Sequence, residues 1–163
     1  MGVDPGTSLT GYGVVECASA GGYRLVECGI LRSSRTEELS LRLVRIHRGL
    51  LEVIDRLRPS CLSVEGVFYG ENSRTAVVLA HARGVALLAG ALRGLDVAEY
   101  PPAEIKKAVV GTGRATKAQV GYMVQRHLRL AAPPQPPDAA DGCAAAICHL
   151  LVGTGPLARR LST

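Results

Sequence analysis

Apolar residues occur along this chain in two kinds of run, and each kind predicts a different secondary structure. Short runs rich in β-branched and aromatic residues, bounded by Gly or Pro, are typical of strands. Such runs cover Gly11 to Cys17, Tyr23 to Arg32, Cys61 to Glu65 and Asp96 to Tyr100. A very short strand is also expected directly before Asp4, where Pro5-Gly6 provides a turn.

Longer runs have the spacing of a helix. From Leu39 to Leu57, Leu and Ile recur at intervals of three, four and seven residues, which predicts an amphipathic helix ending before Pro59. The residues Ser34 to Glu37 match a capping box and are expected to open this helix. Thr116 to Gln119 matches the same pattern and predicts another helix start. Further helices are predicted at Ala103 to Val110 and at about Asp138 to Val152.

The segment Ser73 to Leu92 is apolar nearly all round. A helix with this pattern is usually buried on two sides. We therefore expect it to pack both on the core and on a partner subunit.

Strands at the start, followed by alternating helices and strands, predict an α/β fold with a mixed sheet. The 163 residues are expected to form a single domain over residues 1–153, followed by a tail at 154–163. Five Cys residues without a CxxC pair argue against a disulfide scaffold. With no signal peptide and no apolar run long enough to cross a bilayer, a cytoplasmic location without membrane contact is expected.

The net charge of +5 is concentrated in one part of the chain. Between Pro101 and Pro137 there are six basic residues and a single acid, Glu104. A basic stretch of this kind favours a polyanionic partner such as nucleic acid. An ordinary solvated helix face has the same composition, so the charge alone leaves both interpretations open.

Two carboxylates stand at the ends of predicted strands. Asp4 ends the first strand, and Glu65 ends the apolar run that starts at Cys61. A turn residue explains Asp4, and a strand that reaches solvent explains Glu65. Neither residue indicates function by itself.

Two further carboxylates, Asp138 and Asp141, lie three residues apart on one face of the last predicted helix. The same face continues through Ala145, Cys148 and Val152, which should pack on the sheet. A helix N-cap explains Asp138 alone. Like charges along a core-facing stripe repel each other and lose hydration, so the pair needs a cation or a solvated cleft.

The Ala-rich run Ala139 to Ala146 is expected to bring this helix close to the sheet. Two strand-end acids meeting two helix acids would form an oxygen cage suited to Mg²⁺ or Mn²⁺ rather than to zinc. Such a cluster commonly holds two metal ions, one activating water and the other stabilising the leaving oxygen in phosphodiester hydrolysis.

Several motifs follow one another along nearly the whole chain, from about Gly2 to Leu150. They are Asp4-Pro5-Gly6 with Thr10-Gly11-Tyr12-Gly13, Val64-Glu65 with Val67-Phe68, Ala82-Arg83-Gly84-Val85, Val109-Val110-Gly111, and Asp138-Ala139-Ala140-Asp141. This ordered set resembles the RuvC family of Holliday-junction resolvases. The sequence departs from the family at its start, where relatives usually carry a few more apolar residues, and at Asp141, where some relatives carry His.

The resemblance implies an RNase H-like fold, in which a mixed β-sheet is flanked by α-helices. It also implies a homodimer that resolves four-way junction DNA by paired nicks in opposing strands, in homologous recombination and DNA repair. Two Mg²⁺ ions per active site, with Mn²⁺ able to substitute, are expected to be held by Asp4, Glu65, Asp138 and Asp141. Cooperation with the RuvA–RuvB branch-migration complex is expected as well.

Contacts with DNA are implied in the same way. Phe68 matches the family residue that stacks on a base, and Tyr69 is a further candidate beside it, although Phe68 could instead be a core residue. Lys106 matches a phosphate contact, and Lys117 is placed near the scissile phosphate as a catalytic residue. Lys107 and Arg114 are assigned to DNA binding on charge alone, and ordinary exposed side chains explain them equally well.

Three other functions are considered. An actin-like ATPase or kinase needs two subdomains, which 163 residues cannot supply. A catalytically inert junction-binding protein would tolerate loss of the four acids, all of which are present. The remaining alternative is another RNase H-like nuclease that acts on RNA or on an RNA–DNA hybrid, and the Phe68 loop and the apolar helix favour the junction enzyme over it.

Overall fold

A five-stranded sheet lies at the centre of the molecule, with helices on both faces. The computed structural model describes residues 1–19, 21–66 and 73–153. The strands are β1 (Gly2–Asp4), β2 (Leu9–Cys17), β3 (Tyr23–Arg32), β4 (Cys61–Glu65) and β5 (Asp96–Tyr100). The helices are α1 (Leu39–Leu57), α2 (Ser73–Leu92), α3 (Pro102–Val110), α4 (Lys117–His127) and α5 (Pro137–Val152).

The strand order is β3-β2-β1-β4-β5. β1, β2 and β3 pair in antiparallel fashion, whereas β4 lies parallel to both β1 and β5. This arrangement confirms the predicted mixed sheet. It also places the carboxyl ends of β1 and β4 side by side, because parallel strands end at the same edge.

The two faces of the sheet pack on different helices. Successive side chains of a strand point to opposite faces, and Val3 and Val64 are fully buried with apolar residues of α1 and α2. Ser63 points the other way and donates from its hydroxyl to a carbonyl of α5 at 2.8 Å. Asp4 follows Val3, and Glu65 follows Val64. Their side chains therefore point to the opposite face of the sheet, toward α5.

Glycines on β2 let α5 lie directly against the sheet, as the Ala-rich sequence of α5 predicted. A Cβ atom added to Gly11 would lie 1.8 Å from the carbonyl oxygen of Asp138. One added to Gly13 would lie 2.7 Å from the Cα of Cys143. Because backbone on both sides leaves no room for adjustment, these positions set how near the helix comes to the strand ends.

The two predicted capping boxes have different outcomes. At the start of α4, Thr116 and Gln119 form the reciprocal pair, so that prediction is confirmed. The box predicted at Ser34 is wrong, because α1 begins at Leu39 and Glu38 occupies its N-cap without a side-chain bond. Glu37, the acid of that box, accepts a bond from Arg45 at 3.0 Å instead.

Helix α2 buries one side within this chain. Ala82, Ala86 and Ala89 are fully buried, and the small side chains bring α2 close to the core. Val77, Leu88 and Leu92 are 51–56% exposed, although they belong to the same apolar segment. The second side of the helix, for which a partner subunit was predicted, therefore faces outward in the single chain.

No helix in the described part of the chain is long and apolar enough to span a membrane. Residues 154–163, the predicted tail, lie outside the described residues. The domain boundary at residue 153 therefore stays a prediction.

The close packing of α5 can be tested at Gly13. We expect Gly13→Ala to lower the free energy of unfolding by about 3 kcal/mol, because the added carbon meets helix backbone. Gly121→Ala is the matched control: it adds the same carbon in α4, where the nearest atom would be Pro133 Cβ at 3.8 Å. This control should be neutral or stabilising by up to about 1 kcal/mol. Equal urea midpoints for the two variants would contradict the role given to Gly13.

Candidate active site

Asp4 and Glu65 end neighbouring parallel strands at the same edge of the sheet. The register pairs Val3 with Val64, so the two acids that follow lie side by side. Both strands end at this edge, β1 at the turn after Asp4 and β4 at Glu65. Strand pairing thus brings together two acids that are unremarkable in the sequence.

The first turn of α5 brings two more carboxylates to this edge. Pro136 is the N-cap and Pro137 the first helical residue, so Asp138 lies in the first turn and is not the cap. Carboxylate oxygens of Asp4, Asp138 and Asp141 lie within 4.8 Å of one another. Three of the four predicted metal ligands are therefore gathered into one cluster.

Glu65, the fourth predicted ligand, is not part of that tight cluster. It lines the same cavity of about 220 Å³ as Asp4 and Asp141. Lys106 and Lys117 line this cavity too. The structure thus places three of the acids and two of the predicted lysines around one small space, with Asp138 beside it in the tight cluster.

Burial and mutual repulsion raise the pKa of two of these carboxyl groups. For Asp4, loss of hydration is the larger cause and the charge of Asp141 the next, and they raise the pKa to about 6. For Glu65, loss of hydration followed by the charges of Asp4 and Asp141 raises the pKa to about 8. Burial is thus the main reason why these two carboxyl groups keep their protons to a higher pH than in water, and the neighbouring acids add to the effect.

Among the side chains that the structure describes, Lys117 is the cation paired with the helix acids. Its Nζ donates to Asp141 Oδ2 at 2.8 Å and lies 3.9 Å from Asp138 Oδ1. These contacts, the bond to Asp141 first, raise the pKa of Lys117 and keep it charged. The capping box at Thr116 fixes the start of α4 and hence the position from which this side chain reaches the acids.

The other predicted DNA contacts are placed less directly. Lys107 and Arg114 are exposed and do not line the cavity: Lys107 lies in the last turn of α3, and Arg114 in the loop before α4. Phe68 and Tyr69 lie outside the described residues. Their predicted contacts with DNA stay predictions.

The donor set fits a hard divalent cation. It consists only of carboxylate oxygens, without Cys or His in the described cluster, which suits Mg²⁺ or Mn²⁺ better than zinc. A bound cation would also relieve the repulsion that raises the pKa of Asp4 and Glu65.

Sequence reasoning missed two side chains that hold the turn beside the site. Thr10, fully buried, donates to the carbonyl of Gly6 at 2.7 Å. Arg42 of α1 reaches across to the turn after Asp4. Thr10 lies within the motif that begins at Asp4, which is a signal for its role, but nothing in the sequence indicates Arg42.

Comparison with known proteins places this arrangement in a family. A family model described as "Crossover junction endodeoxyribonuclease RuvC" matches residues 1–149. The protein of that name from Desulforamulus reducens is 46% identical over 149 residues, 91% of each chain. That from Halorhodospira halophila is 50% identical over 157 residues, 96% of this chain and 92% of the other. The solved structure of T. thermophilus RuvC in complex with a Holliday junction substrate aligns at 35% identity with a TM-score of 0.84, covering 92% of this chain and 91% of that one.

The raised pKa values make stability depend on pH. A carboxyl whose pKa is higher in the folded than in the unfolded protein lowers the free energy of unfolding as the pH rises toward the folded value. We therefore expect Tm of the metal-free protein to fall between about pH 5 and pH 7 through Asp4 and Glu65. Glu27, whose pKa is lowered to about 2, acts in the opposite direction but only below that range.

Replacing Glu65 with Gln tests this. We expect Glu65→Gln to flatten the pH dependence and to raise the metal-free Tm near neutral pH by about 2–4 °C. Glu52→Gln, which removes an exposed carboxylate from α1, should leave the slope unchanged. A slope in Glu65→Gln equal to that of the wild-type protein would contradict the electrostatic account.

Proposed function

The chain belongs to the RuvC family of crossover junction endodeoxyribonucleases, and we propose that it resolves Holliday junctions with the acidic cavity at the end of β1 and β4. The observation that carries the proposal is the cluster of Asp4, Asp138 and Asp141 oxygens within 4.8 Å. Glu65 on the same cavity and the adjacent lysines support it.

Asp4, Glu65, Asp138 and Asp141 would hold the metal ions, two Mg²⁺ per active site, with Mn²⁺ able to substitute. When bound, these ions would supply an activated water and stabilise the leaving oxygen during phosphodiester hydrolysis, which leaves a 5′-phosphate and a 3′-hydroxyl. The protein contributes an edge of the sheet that fixes the first two acids, and a helix packed closely enough to present the other two.

Lys117 is proposed to act on the scissile phosphate. Its side chain is 67% exposed and is bonded to Asp141, whose own side chain is 15% exposed. Once divalent cations compensate Asp138 and Asp141, the ammonium group is free to donate to a phosphate oxygen of the bound strand. Asp141 raises the pKa of Lys117 in the metal-free protein, and an ordinary lysine stays a donor at neutral pH once the acids are compensated.

The remaining DNA contacts are proposed from charge and position. Lys106 lines the cavity and offsets part of the charge of Glu65, so it is placed to meet a phosphate next to the scissile one. Lys107 and Arg114 would contact phosphates farther along the strand, and Phe68, with Tyr69 beside it, would stack on an unpaired base. Phosphate contacts of this kind position the DNA and make binding sensitive to salt.

We propose a homodimer through the outward side of α2. Val77, Leu88 and Leu92 form an exposed apolar stripe along that helix. Their burial in a partner subunit would remove an unfavourable surface. Two subunits would then nick two opposing strands of one junction, and the RuvA–RuvB complex is the expected partner in the cell. We also propose the reducing cytoplasm as its compartment, in keeping with five free cysteines.

Substitution of the acids tests the reaction. We expect Asp4→Asn and Asp138→Asn to lower cleavage of a synthetic four-way junction at least about 100-fold, while metal-free junction binding persists. Asp96→Asn, which changes an exposed acid at the start of β5, should cleave at the wild-type rate.

The same assay on three substrates separates the functions. Cleavage of the junction should exceed that of a linear duplex and of an RNA–DNA hybrid of matched sequence. Preferred cleavage of the hybrid would favour the alternative RNase H-like activity, and full junction cleavage by Asp4→Asn would overturn the assignment of the site.

A charged substitution on the outward side of α2 tests the proposed dimer. We expect Leu88→Glu to shift the protein from dimer to monomer in sedimentation equilibrium, because the added carboxylate would lose hydration at the interface. Leu41→Glu, at a similarly exposed leucine of α1, should remain dimeric. A dimer of unchanged affinity in Leu88→Glu would place the interface elsewhere.

A further inference from the structure

The turn that follows Asp4 is hydrogen-bonded to Arg42 of α1. Arg42 donates from Nε to the carbonyl oxygen of Thr7 at 2.9 Å. Its Nη2 donates to Thr7 Oγ1 at 2.7 Å and to Ser8 Oγ at 3.0 Å. Ser33, just after β3, donates from its hydroxyl to the same Thr7 carbonyl. Thr7 itself is buried, and the bonds of Arg42 and Ser33 to the turn are partly shielded from solvent.

Thr10, near the start of β2, forms further hydrogen bonds within the same turn. The hydroxyl of Thr10 donates to the carbonyl of Gly6 at 2.7 Å and accepts the Gly6 N–H at 3.4 Å. Since Asp4 pairs with Gly11 across the β1–β2 ladder, the connection between the two strands is held at both ends and in the middle. Little freedom is left for the residue that precedes it, Asp4.

Arg42 differs from the other arginines that make side-chain bonds in the described part of the chain. Five of those arginines pair with carboxylates across the surface, at residues 24, 45, 56, 83 and 93. Arg42 instead donates only to neutral oxygens, and all of them belong to one turn. Such charge-assisted bonds to neutral acceptors are stronger than ordinary ones and need no partner charge. The contacts of Arg42 therefore stabilise the conformation of the turn.

We infer that Arg42 is a positioning residue for the metal site: by fixing the Thr7-Ser8 turn it holds Asp4 in place against the repulsion of the neighbouring acids. The inference rests on the proposed role of Asp4 as a metal ligand. Without the hydrogen bonds from Arg42, Asp4 would move away from Asp141. The oxygen cluster that a cation needs would then no longer be formed before the cation binds.

Titration of Mn²⁺ into the DNA-free protein by calorimetry tests the inference. We expect Arg42→Gln to raise the Kd for Mn²⁺ about tenfold, and Arg42→Lys to raise it less, because Lys keeps the charge but not the forked geometry. The matched control is Arg45→Gln, one turn along the same helix, where the arginine pairs with Glu37 on the surface. It should leave the Kd unchanged.

A second readout separates positioning from a merely structural role. In junction cleavage, Arg42→Gln should raise the Mg²⁺ concentration for half-maximal rate about tenfold and leave kcat at saturating Mg²⁺ near the wild-type value. A residue needed only for stability would lower Tm and change neither quantity. Should Arg42→Gln fail to fold, Ser8→Ala removes one of the three bonds and should raise the Kd about threefold.

Asp4→Asn distinguishes the two possible failures. If Asp4→Asn weakens Mn²⁺ binding while Arg42→Gln and Ser8→Ala do not, the inference about Arg42 is overturned and the proposed site stands. If Asp4→Asn also binds Mn²⁺ like the wild-type protein, the proposed site itself is overturned.

Discussion

Four carboxylates share one end of the sheet, where Asp4 and Glu65 lose hydration and are repelled by Asp141. Asp4 and Glu65 cannot separate, because β1 and β4 are hydrogen-bonded neighbours. Asp138 and Asp141 cannot withdraw, because α5 lies directly on the glycines of β2 and is bonded to Ser63. The raised pKa of Asp4 and of Glu65 records the cost of this arrangement.

Several parts of the fold oppose that repulsion. Lys117 compensates the helix acids directly, and the capping box at Thr116 sets the helix from which it extends. Thr10 and Arg42 hold the turn next to Asp4 without adding charge to the cavity. Carboxylates held together against their repulsion suit a divalent cation, which agrees with the use in phosphodiester hydrolysis that we propose for them.

Much of this was predictable from the sequence. The strands and helices follow from apolar spacing, and the order of the strand-end acids and the helix acids predicted that folding would bring them together. Side-chain contacts that form only in the folded chain were not predictable. Glu37 was expected to cap α1 but pairs with Arg45, because an ion pair on the folded surface competes with the local bond. Arg42 carries no local signal, since its partners lie 34 and 35 residues away along the chain. The sequence also could not show that Glu65 lies outside the tightest cluster, which depends on side-chain reach rather than on spacing.

Anomalous diffraction from crystals of the protein grown with Mn²⁺ tests the central claim most directly. Peaks in the anomalous map within coordination distance of Asp4, Asp138 and Asp141 are the expected result, with Glu65 coordinating from the other side of the cavity. A map in which Mn²⁺ binds only elsewhere, or in which the cavity stays free of anomalous density at saturating Mn²⁺, would contradict the claim that these carboxylates are gathered to hold divalent cations.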